Sequence, residues 1–244
     1  MTIATRFAAA LEHETGVGPA DGGLLPVRLT RAVAATLGVD AAGLSVVDAT
    51  GVRIPLGASS TAAARAERLQ FTVGDGPCWE TQRTGQPVFA VLADLRRRWG
   101  PFADLLTAQT PFRAVVAFPL REDLAGAGAL DLYVTDEAAV LSLDVFTAVS
   151  VGELVTAALT EAAVRSDWPD ERGPAWLHGP DALRREAVLR AAGRAATALG
   201  TDRATALVLL RAAAYAGGRT VEDLAEDLEA GRSRIEDVVP GPAA

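Results

Sequence analysis

From Arg185 to Arg232 the chain reads REAVLRAAGRAATALGTDRATALVLLRAAAYAGGRTVEDLAEDLEAGR. Two stops divide this stretch, one at residues 200–202 (Gly-Thr-Asp) and one at residues 217–220 (Gly-Gly-Arg-Thr). Glycine commonly ends a helix and Asp or Thr commonly begins one, so each stop closes one helix and opens the next. Thr220 and Asp223 have the spacing of an N-cap residue and its reciprocal acidic partner. The stretch therefore predicts three short helices.

Apolar residues recur at helical spacing in each of the three segments. The three stripes are Leu183, Val188, Ala191, Ala195 and Leu199, then Leu207, Leu210 and Ala214, then Val221, Leu224 and Leu228. A helix with one apolar stripe has to bury that stripe against another element. The pattern predicts that each stripe is buried against the other two, in a compact three-helix bundle over residues 181–234.

The order of residues in this bundle resembles the ANTAR domain, an RNA-binding three-helix module of bacterial transcription antiterminators. The matching residues are Ala191-Ala192-Gly193, Leu199-Gly200, Leu210-Arg211, Ala214-Tyr215-Ala216, Gly218-Arg219 and Leu224-Ala225. The match covers about fifty residues with both turns in place. RNA binding is an implication of this resemblance, since the helical periodicity alone indicates only a bundle.

The resemblance also implies which residues contact RNA. They are Arg190, Ala191, Gly193, Arg194, Arg211, Tyr215 and Arg219. The four arginines would contact phosphates or loop bases, and the two small residues would allow close approach of the RNA. The tyrosine would stack on a loop base, although an aromatic residue at helical spacing also predicts partial burial.

The charge pattern agrees with a local RNA-binding surface but not with a chain that is basic as a whole. The formal net charge is −8. Between Arg184 and Arg219, however, seven arginines stand against two acids, a local excess of five positive charges. The predicted third helix reverses the sign with five acids between Glu222 and Glu229. Because neutralised phosphates supply most non-specific affinity, a phosphate-facing surface is expected on the first two helices.

Residues 24–165 predict an α+β domain with an antiparallel sheet flanked by helices. The predicted strands are 43–49, 52–56, 86–91, 113–120 and 129–134, and the predicted helices are 24–37, 62–69, one beginning near Pro77, and 143–164. The last two strands predict a hairpin at the centre of the sheet, with a loop at Gly126-Ala127-Gly128. Asp131 alternates with Leu130 and Leu132, so its side chain is expected on the opposite face of the strand.

This order of elements resembles a GAF domain, a small-molecule-sensing fold. The residues that carry the resemblance are 71–78 (FTVGDGPC), 84–88 (TGQPV), 117–120 (AFPL) and 128–133 (GALDLY). The resemblance implies an unidentified small-molecule ligand, with a sensor pocket that includes Cys78, Trp79, Phe118 and Asp131. Cys78 has two interpretations: a buried structural thiol, which is favoured, or a reactive thiolate at a helix N-terminus.

The whole chain is therefore predicted to be α+β: an N-terminal GAF-like antiparallel sheet flanked by helices, followed by an all-α, three-helix ANTAR-like bundle. The expected parts are an N-terminal helix and turn (1–23), a sensor domain (24–165), a Pro-rich linker (166–180), the bundle (181–234) and a tail (235–244). One cysteine and two distant histidines predict no metal site and no cofactor. No signal peptide or membrane span is expected, so the predicted location is the cytoplasm.

Together the two resemblances imply a signal-responsive regulator of transcription antitermination and not an enzyme. The sensor domain would bind a signal or dimerise, and the bundle would bind paired stem-loops in nascent RNA. The helix at Leu143–Val164 is expected to form the seam of a homodimer. The alternative is a small-molecule or redox sensor whose helical domain contacts a protein partner, which the acidic third helix favours.

Overall fold

A computed structural model describes residues 2–14, 25–47, 51–123, 126–165 and 174–238. The predicted turn at residues 16–23, the hairpin turn at Thr50, most of the predicted linker and the end of the tail lie outside the described residues. The described part is α+β, as predicted, with one five-stranded sheet and a set of helices.

Five antiparallel strands form the sheet in the order β2-β1-β5-β4-β3. The strands are β1 (Ala41–Val47), β2 (Arg53–Ala58), β3 (Val88–Val91), β4 (Ala114–Asp123) and β5 (Gly126–Val134). The predicted β4–β5 hairpin is confirmed, and β5 is the central strand. The predicted loop at Gly126-Ala127-Gly128 was wrong, because β5 begins at Gly126 and pairs Gly128 with Leu120.

Twelve α-helices lie in the described residues. They are α1 (Ile3–His13), α2 (Leu25–Leu37), α3 (Thr61–Val73), α4 (Pro77–Thr84), α5 (Leu92–Arg98), α6 (Gly100–Gln109), α7 (Ala138–Ser142), α8 (Val145–Arg165), α9 (Pro180–Leu199), α10 (Arg203–Ala216), α11 (Val221–Glu229) and α12 (Ile235–Val238). A short 3-10 helix, Ala175–His178, precedes α9. Helix α6 was not predicted from the sequence.

Each face of the sheet carries its own layer of helices. One face packs against α1, α2 and α8 through side chains such as Leu29, Val116 and Val151. The other face packs against α3, α5 and α6 through side chains such as Leu69 and Phe102. Alternate residues of a strand point to opposite faces, so the near-continuous apolar strands β4 and β5 serve both layers.

The helix boundaries follow local capping chemistry. The Asp202 side chain accepts hydrogen bonds from the backbone N–H groups of Ala204 and Thr205 and so begins α10. Thr220 and Asp223 form the predicted capping box at the start of α11. Gly200 ends α9 with φ +64°, a left-handed conformation that glycine adopts without a steric penalty. Both stops predicted in the C-terminal stretch are confirmed.

The core of the helical bundle formed by α9, α10 and α11 includes residues from outside these three helices. Phe71 of α3 is buried within the bundle core, and the Val221 N–H donates to the Thr72 hydroxyl at 2.9 Å. Leu183, assigned to the buried stripe, is exposed instead. The prediction that each stripe is buried only against the other two was therefore wrong, since the sheet domain supplies part of the bundle core.

Helix α8 corresponds to the predicted long helix and packs one face on the sheet through Ala148, Val151 and Val155. Large apolar side chains remain exposed on and beside it, including Leu141, Phe146, Val149 and Val164. By length and composition α8 is apolar enough to cross a membrane, although a core helix of a soluble protein passes the same test.

Candidate functional site at the junction of sheet and bundle

A buried polar cluster lies between the sheet and α3, centred on Arg53 of β2. The Arg53 guanidinium donates to Ser45 Oγ at 3.0 Å, to Asp131 Oδ2 at 3.0 Å and to Glu67 Oε2. The Tyr133 hydroxyl donates to the other Glu67 oxygen at 2.7 Å. All five side chains are buried. Buried charges are tolerated where they are paired and hydrogen-bonded, so one cation here is held by two carboxylates and a hydroxyl.

Gln70 and Cys78 extend this cluster to the start of α4. The Gln70 amide donates to Tyr133 Oη at 3.2 Å and accepts from the Cys78 N–H at 3.1 Å. The Cys78 thiol lies 3.7 Å from Ser45 Oγ. Gly76 precedes α4 with φ +151°, and a Cβ there would stand 2.6 Å from the Gln70 side-chain oxygen. Glycine at this position therefore leaves the space that Gln70 occupies.

Burial and neighbouring charges raise the pKa values of both the acids and the base of this cluster. Burial raises the pKa of Asp131, and the nearby Glu67 charge raises it further, despite the opposing Arg53. Burial raises the pKa of Cys78 well above its usual range, which outweighs the attraction of Arg53. Burial opposes the charge on Arg53, but its anionic neighbours raise its pKa overall. The Cys78 thiol is therefore held protonated, and the thiolate interpretation is not supported.

A second cluster joins the sheet domain to the bundle. The Arg185 guanidinium of α9 stacks on the Phe71 ring at 3.1 Å, donates to Glu222 Oε1 of α11 at 2.9 Å and donates to the Arg53 carbonyl oxygen. Arg211 of α10 lies over the same ring, with its guanidinium carbon 4.2 Å from the centroid. Helices α9 and α10 thus each place one guanidinium over the Phe71 ring, and α11 supplies the carboxylate that pairs with Arg185.

The junction cluster carries more positive than negative charge. Burial lowers the pKa of Arg185 to about 10, although Glu222 opposes this shift. Burial also lowers the pKa of Arg211 to about 10, against the same carboxylate. Two cations therefore share one carboxylate, and Glu222 Oε2 and Arg211 Nε have no hydrogen-bond partner among the described residues.

Two open grooves border this junction. The α4 groove, of about 500 Å³, is lined by Val47, Gly51, Gly74, Asp75, Trp79, Glu80, Gln82 and Arg83. The α10 groove, of about 390 Å³, is lined by Thr72, Val73, Gly74, Pro101, Val208, Arg211, Ala212 and Tyr215. Both volumes fall in the usual range of small-molecule sites. The described residues contain no group of three or more His, Cys, Asp or Glu that could hold a metal ion.

The structure separates the residues assigned to a sensor pocket. Cys78 and Asp131 meet in the buried Arg53 cluster, and Trp79 lines the α4 groove. Phe118 lies on the other face of the sheet, where it packs edge-on against Phe89 with centroids 5.8 Å apart. Phe118 is thus separated from the other three residues, because it pairs with Leu130 whereas Asp131 pairs with Ala117. Neighbouring residues on a strand point to opposite faces.

The residues implied to contact RNA fall into three groups. Arg190, Gly193 and Arg194 lie on the outer side of α9, where a Cβ at Gly193 would meet nothing within 4 Å. Arg211 and Tyr215 line the α10 groove. The third group is Ala191, which is fully buried in the bundle core and so has no surface for direct RNA contact, and Arg219, which is paired with Asp227.

The acidic third helix explains the local charge pattern seen in the sequence. Its carboxylates pair with arginines of α3 and α9 and with Arg219 in the turn before α11. The pairs are Arg65–Asp223, Arg184–Glu226, Arg185–Glu222, Arg190–Glu229 and Arg219–Asp227. Helix α11 thus neutralises much of the basic surface of α9 within the bundle itself.

Sequence reasoning missed most of the residues that form the two clusters. They are Ser45, Arg53, Glu67, Gln70, Phe71, Tyr133, Arg185 and Glu222. One signal was present, since Arg53 is a charge inside a predicted strand, and Tyr133 shares its strand face with Asp131. No sequence pattern joins Arg185 to Phe71, because that contact depends on how the bundle packs against α3.

The chain was compared with known proteins in sequence and in structure. No protein-family model matches it, and no curated protein matches it. A domain described as a two-component sensor histidine kinase protein from Sinorhizobium meliloti is similar in structure, with a TM-score of 0.40 and 19% identity over 58% of this chain and 95% of that one. CepR2, an N-acylhomoserine lactone-dependent LuxR family transcription factor from Burkholderia cenocepacia, has a TM-score of 0.45 and 16% identity over 67% and 96%. The function is therefore argued from the site itself.

Proposed function

We propose that this chain is a signal-responsive, RNA-binding regulator of transcription antitermination that acts in the cytoplasm. In this proposal the bundle binds paired stem-loops in nascent RNA, and the sheet domain controls it. The observation that supports it best is the exposed surface of α9, where Arg190 and Arg194 flank Gly193. The open space above Gly193 permits close approach of a phosphate backbone.

The ion pairs on this surface are compatible with RNA binding. Arg190 lies 2.9 Å from Glu229 and is more than half exposed. Arg194 donates to the Leu228 carbonyl oxygen at 3.0 Å. Exposed ion pairs contribute about 0–1 kcal/mol, so an arginine can exchange its carboxylate for a phosphate at little expense. Release of counter-ions from the RNA would favour that exchange.

The junction cluster provides the control in this proposal. Arg185 contacts the Arg53 carbonyl, the Phe71 ring and Glu222 at the same time. In this proposal, a change in the sheet domain therefore changes how α9 and α11 pack against it. We propose no catalytic step. The Cys78 thiol is buried and its pKa is raised, which makes it a poor nucleophile. Native protein should therefore resist thiol alkylation that the unfolded chain undergoes rapidly.

We also propose that the protein acts as a homodimer through α8. Phe146 is 84% exposed and Val149 is 42% exposed on its outward side. Large apolar side chains that are exposed side by side often mark a surface that contacts another protein. A dimer would present two bundles to the two loops of a paired stem-loop RNA. A Phe146→Asp variant should then sediment as a monomer.

The test is binding of the full-length protein to an RNA with two tandem stem-loops, across a salt series. A loop-scrambled RNA of equal length serves as the control for sequence-independent attraction. Loop-dependent binding should weaken by about tenfold in Arg194→Ala, while Arg97→Ala, an exposed arginine of the sheet domain, should bind as the wild type does. Equal, weak binding of both RNAs would overturn the RNA proposal.

A specific observation favours the alternative function. The acids of α11 pair with arginines of α3 and α9 and so reduce the basic surface. Val208 of α10 is also 61% exposed. A bundle with a neutralised, partly apolar surface suits a protein partner. If neither RNA binds, a sensor whose bundle contacts a protein is the function that remains.

A further inference from the structure

We propose that the α10 groove is a binding site for a small organic anion, with a carboxylate or phosphate joined to a flat apolar body. Arg211 supplies the positive charge of this site, and the anion bridges the sheet domain and the bundle. The site goes beyond the proposed RNA function and does not depend on it.

The first observation is that Arg211 is a partly buried cation without a counter-ion of its own. It makes no hydrogen bond and no ion pair with the residues that the structure describes. Its pKa is lowered to about 10, chiefly by burial. An arginine that loses water without gaining a carboxylate is destabilising unless something else supplies the negative charge.

The second observation is that the local carboxylate is already engaged. Glu222 is buried and bonds to Arg185 at 2.9 Å, while Arg185 and Arg211 lie over the same Phe71 ring. The junction cluster therefore retains one excess positive charge. An anion in the groove would neutralise it, and a guanidinium offers planar, paired donors that suit a carboxylate or a phosphate.

The third observation is that the groove is shaped to admit such a ligand. Its volume of about 390 Å³ is open beside Arg211. Gly74, in a left-handed conformation at φ +78°, leaves room for the guanidinium, because a Cβ there would stand 3.0 Å from Arg211 Nη1. Any other residue at this position would press on the arginine that faces the ligand.

The lining of the groove indicates the chemical class of the ligand. Val73, Pro101, Val208 and Ala212 provide apolar walls, and Tyr215 contributes a partly exposed ring with a hydroxyl group. Small-molecule sites typically combine such walls with a few polar groups that fix orientation. An RNA strand is less suited, because Arg211 is largely buried between α10 and α3 whereas backbone phosphates bind arginines on open surfaces.

The groove lies between the sheet domain and the bundle, so a bound ligand would affect how the two pack together. Thr72, Val73 and Gly74 belong to the end of α3, and Pro101 belongs to α6, whereas the opposite wall is α10. An anion that contacts both walls stabilises the docked arrangement of the bundle. Binding should therefore raise the melting temperature of the full-length protein.

The test uses benzoate as the probe, with inorganic phosphate and neutral benzyl alcohol for comparison. Binding is measured on the full chain by calorimetry and by the change in tryptophan fluorescence, since the ring centroid of Trp79 lies 6.0 Å from the Arg211 guanidinium carbon. Benzoate should bind saturably and raise the melting temperature, phosphate should bind more weakly, and benzyl alcohol should not bind. Phosphate binding tighter than benzoate would identify a phosphate-bearing ligand within the same site.

Two variants and one control locate the site. Arg211→Gln should weaken benzoate binding by about tenfold or more, the loss expected when a charge-assisted hydrogen bond is removed. Ala212→Trp should fill the groove and abolish binding without removing the charge. Arg203→Gln, an exposed arginine on the same helix, should bind as the wild type does.

The outcomes separate this site from RNA binding. Unchanged benzoate binding in both groove variants, or no saturable anion binding at all, would overturn the proposal. Loss of RNA binding in Arg211→Gln, with no benzoate binding by the wild type, would assign Arg211 to RNA instead. If Arg211→Gln does not fold, the folded Ala212→Trp variant still decides the question.

Discussion

The two buried clusters of this protein use the same residue type in opposite ways. Arg53 lies in the sheet domain against two carboxylates and a hydroxyl, and its pKa is raised. Arg185 and Arg211 lie at the junction with the bundle, share the single carboxylate of Glu222, and have pKa values lowered to about 10. Arg53 and Arg185 are both fully buried, so between these two the difference comes from the number of anionic partners.

This difference indicates which part of the molecule is fixed and which can respond. A fully paired buried cation holds its surroundings in one arrangement, because any movement would leave a charge without a partner. A junction with excess positive charge has no such single optimum, so an added anion changes its energy directly. The Arg53 cluster is thus suited to stability, and the junction cluster is suited to regulation.

The largest expected effect comes from removing the paired cation. Arg53→Met should lower the free energy of unfolding by about 3–5 kcal/mol, because it leaves Glu67 and Asp131 buried without their counter-charge. Urea unfolding followed by circular dichroism measures the change. Arg97→Met, at an exposed ion pair with Asp94, should change stability by no more than about 0.5 kcal/mol. Equal effects of the two substitutions would show that the Arg53 cluster is not critical.

The second effect concerns the residue that joins the two clusters. Arg185→Met should lower the free energy of unfolding by about 2–3 kcal/mol, because Glu222 and the Arg53 carbonyl both lose a donor while the methionine keeps part of the packing on Phe71. Hydrogen exchange should become faster in α9 and β2, where the junction loosens. A uniform increase across the chain would contradict a local role at the junction.

A matched control for this variant is available one residue away. Arg184 pairs with Glu226 across the same two helices, but both side chains are 42% exposed. Arg184→Met should change stability by less than about 1 kcal/mol, since an exposed ion pair contributes little. The pair of variants therefore compares a buried and an exposed bridge between α9 and α11.

The third effect is pH-dependent and tests the acid of the Arg53 cluster. Because burial raises the pKa of Asp131 in the folded state, folding takes up a proton above the ordinary pKa of the carboxyl group, 3.8. Wild-type stability should therefore fall as pH rises from there through the folded pKa. Asp131→Asn removes this uptake, so its stability relative to wild type should increase by up to about 1.4 kcal/mol per pH unit in that window. Urea unfolding of both proteins at acidic and neutral pH measures the difference.

The opposite pH dependence of Asp131→Asn would contradict this prediction. If the Asn variant loses stability relative to wild type as pH rises, the ionised form of Asp131 is the one that the folded state favours. Its pairing with Arg53 would then outweigh burial. Tyr133→Phe is a useful companion, because it removes the hydroxyl that bonds to Glu67 without changing the charge of the cluster near neutral pH.

The sequence predicted local features well and the junction poorly. Capping at Asp202 and Thr220 and the paired strands β4 and β5 depend on residues near one another in the chain, so their patterns are readable. The register that separates Phe118 from Asp131 depends on pairing between strands. The stack of Arg185 on Phe71 joins residues over a hundred positions apart, and no periodicity records it.

The acidic third helix shows how the same sequence feature can mislead. Its acids reverse the sign of the charge along the sequence, yet their partners on α3 and α9 depend on the packed bundle. A local excess of arginine predicted a basic surface, but several of those arginines are neutralised by α11. Charge counted along the chain therefore overestimates the charge that a partner meets.

The smallest expected effect is a change in the free energy of unfolding that is opposite in sign to that of Arg53→Met. It gives the most direct comparison between the two clusters. Arg211→Met is expected to be neutral or to raise the free energy of unfolding by up to about 1 kcal/mol, because it removes a desolvated cation without a counter-ion and keeps an apolar contact with Phe71. Urea unfolding in buffer without added organic anion measures this change. Substitution by methionine is thus expected to be strongly destabilising at Arg53 and harmless at Arg211. If Arg211→Met is neutral or stabilising, stability does not require Arg211, and the binding role in the groove is the one that explains its position. A loss of about 2 kcal/mol or more in Arg211→Met would instead make it a structural cation like Arg53.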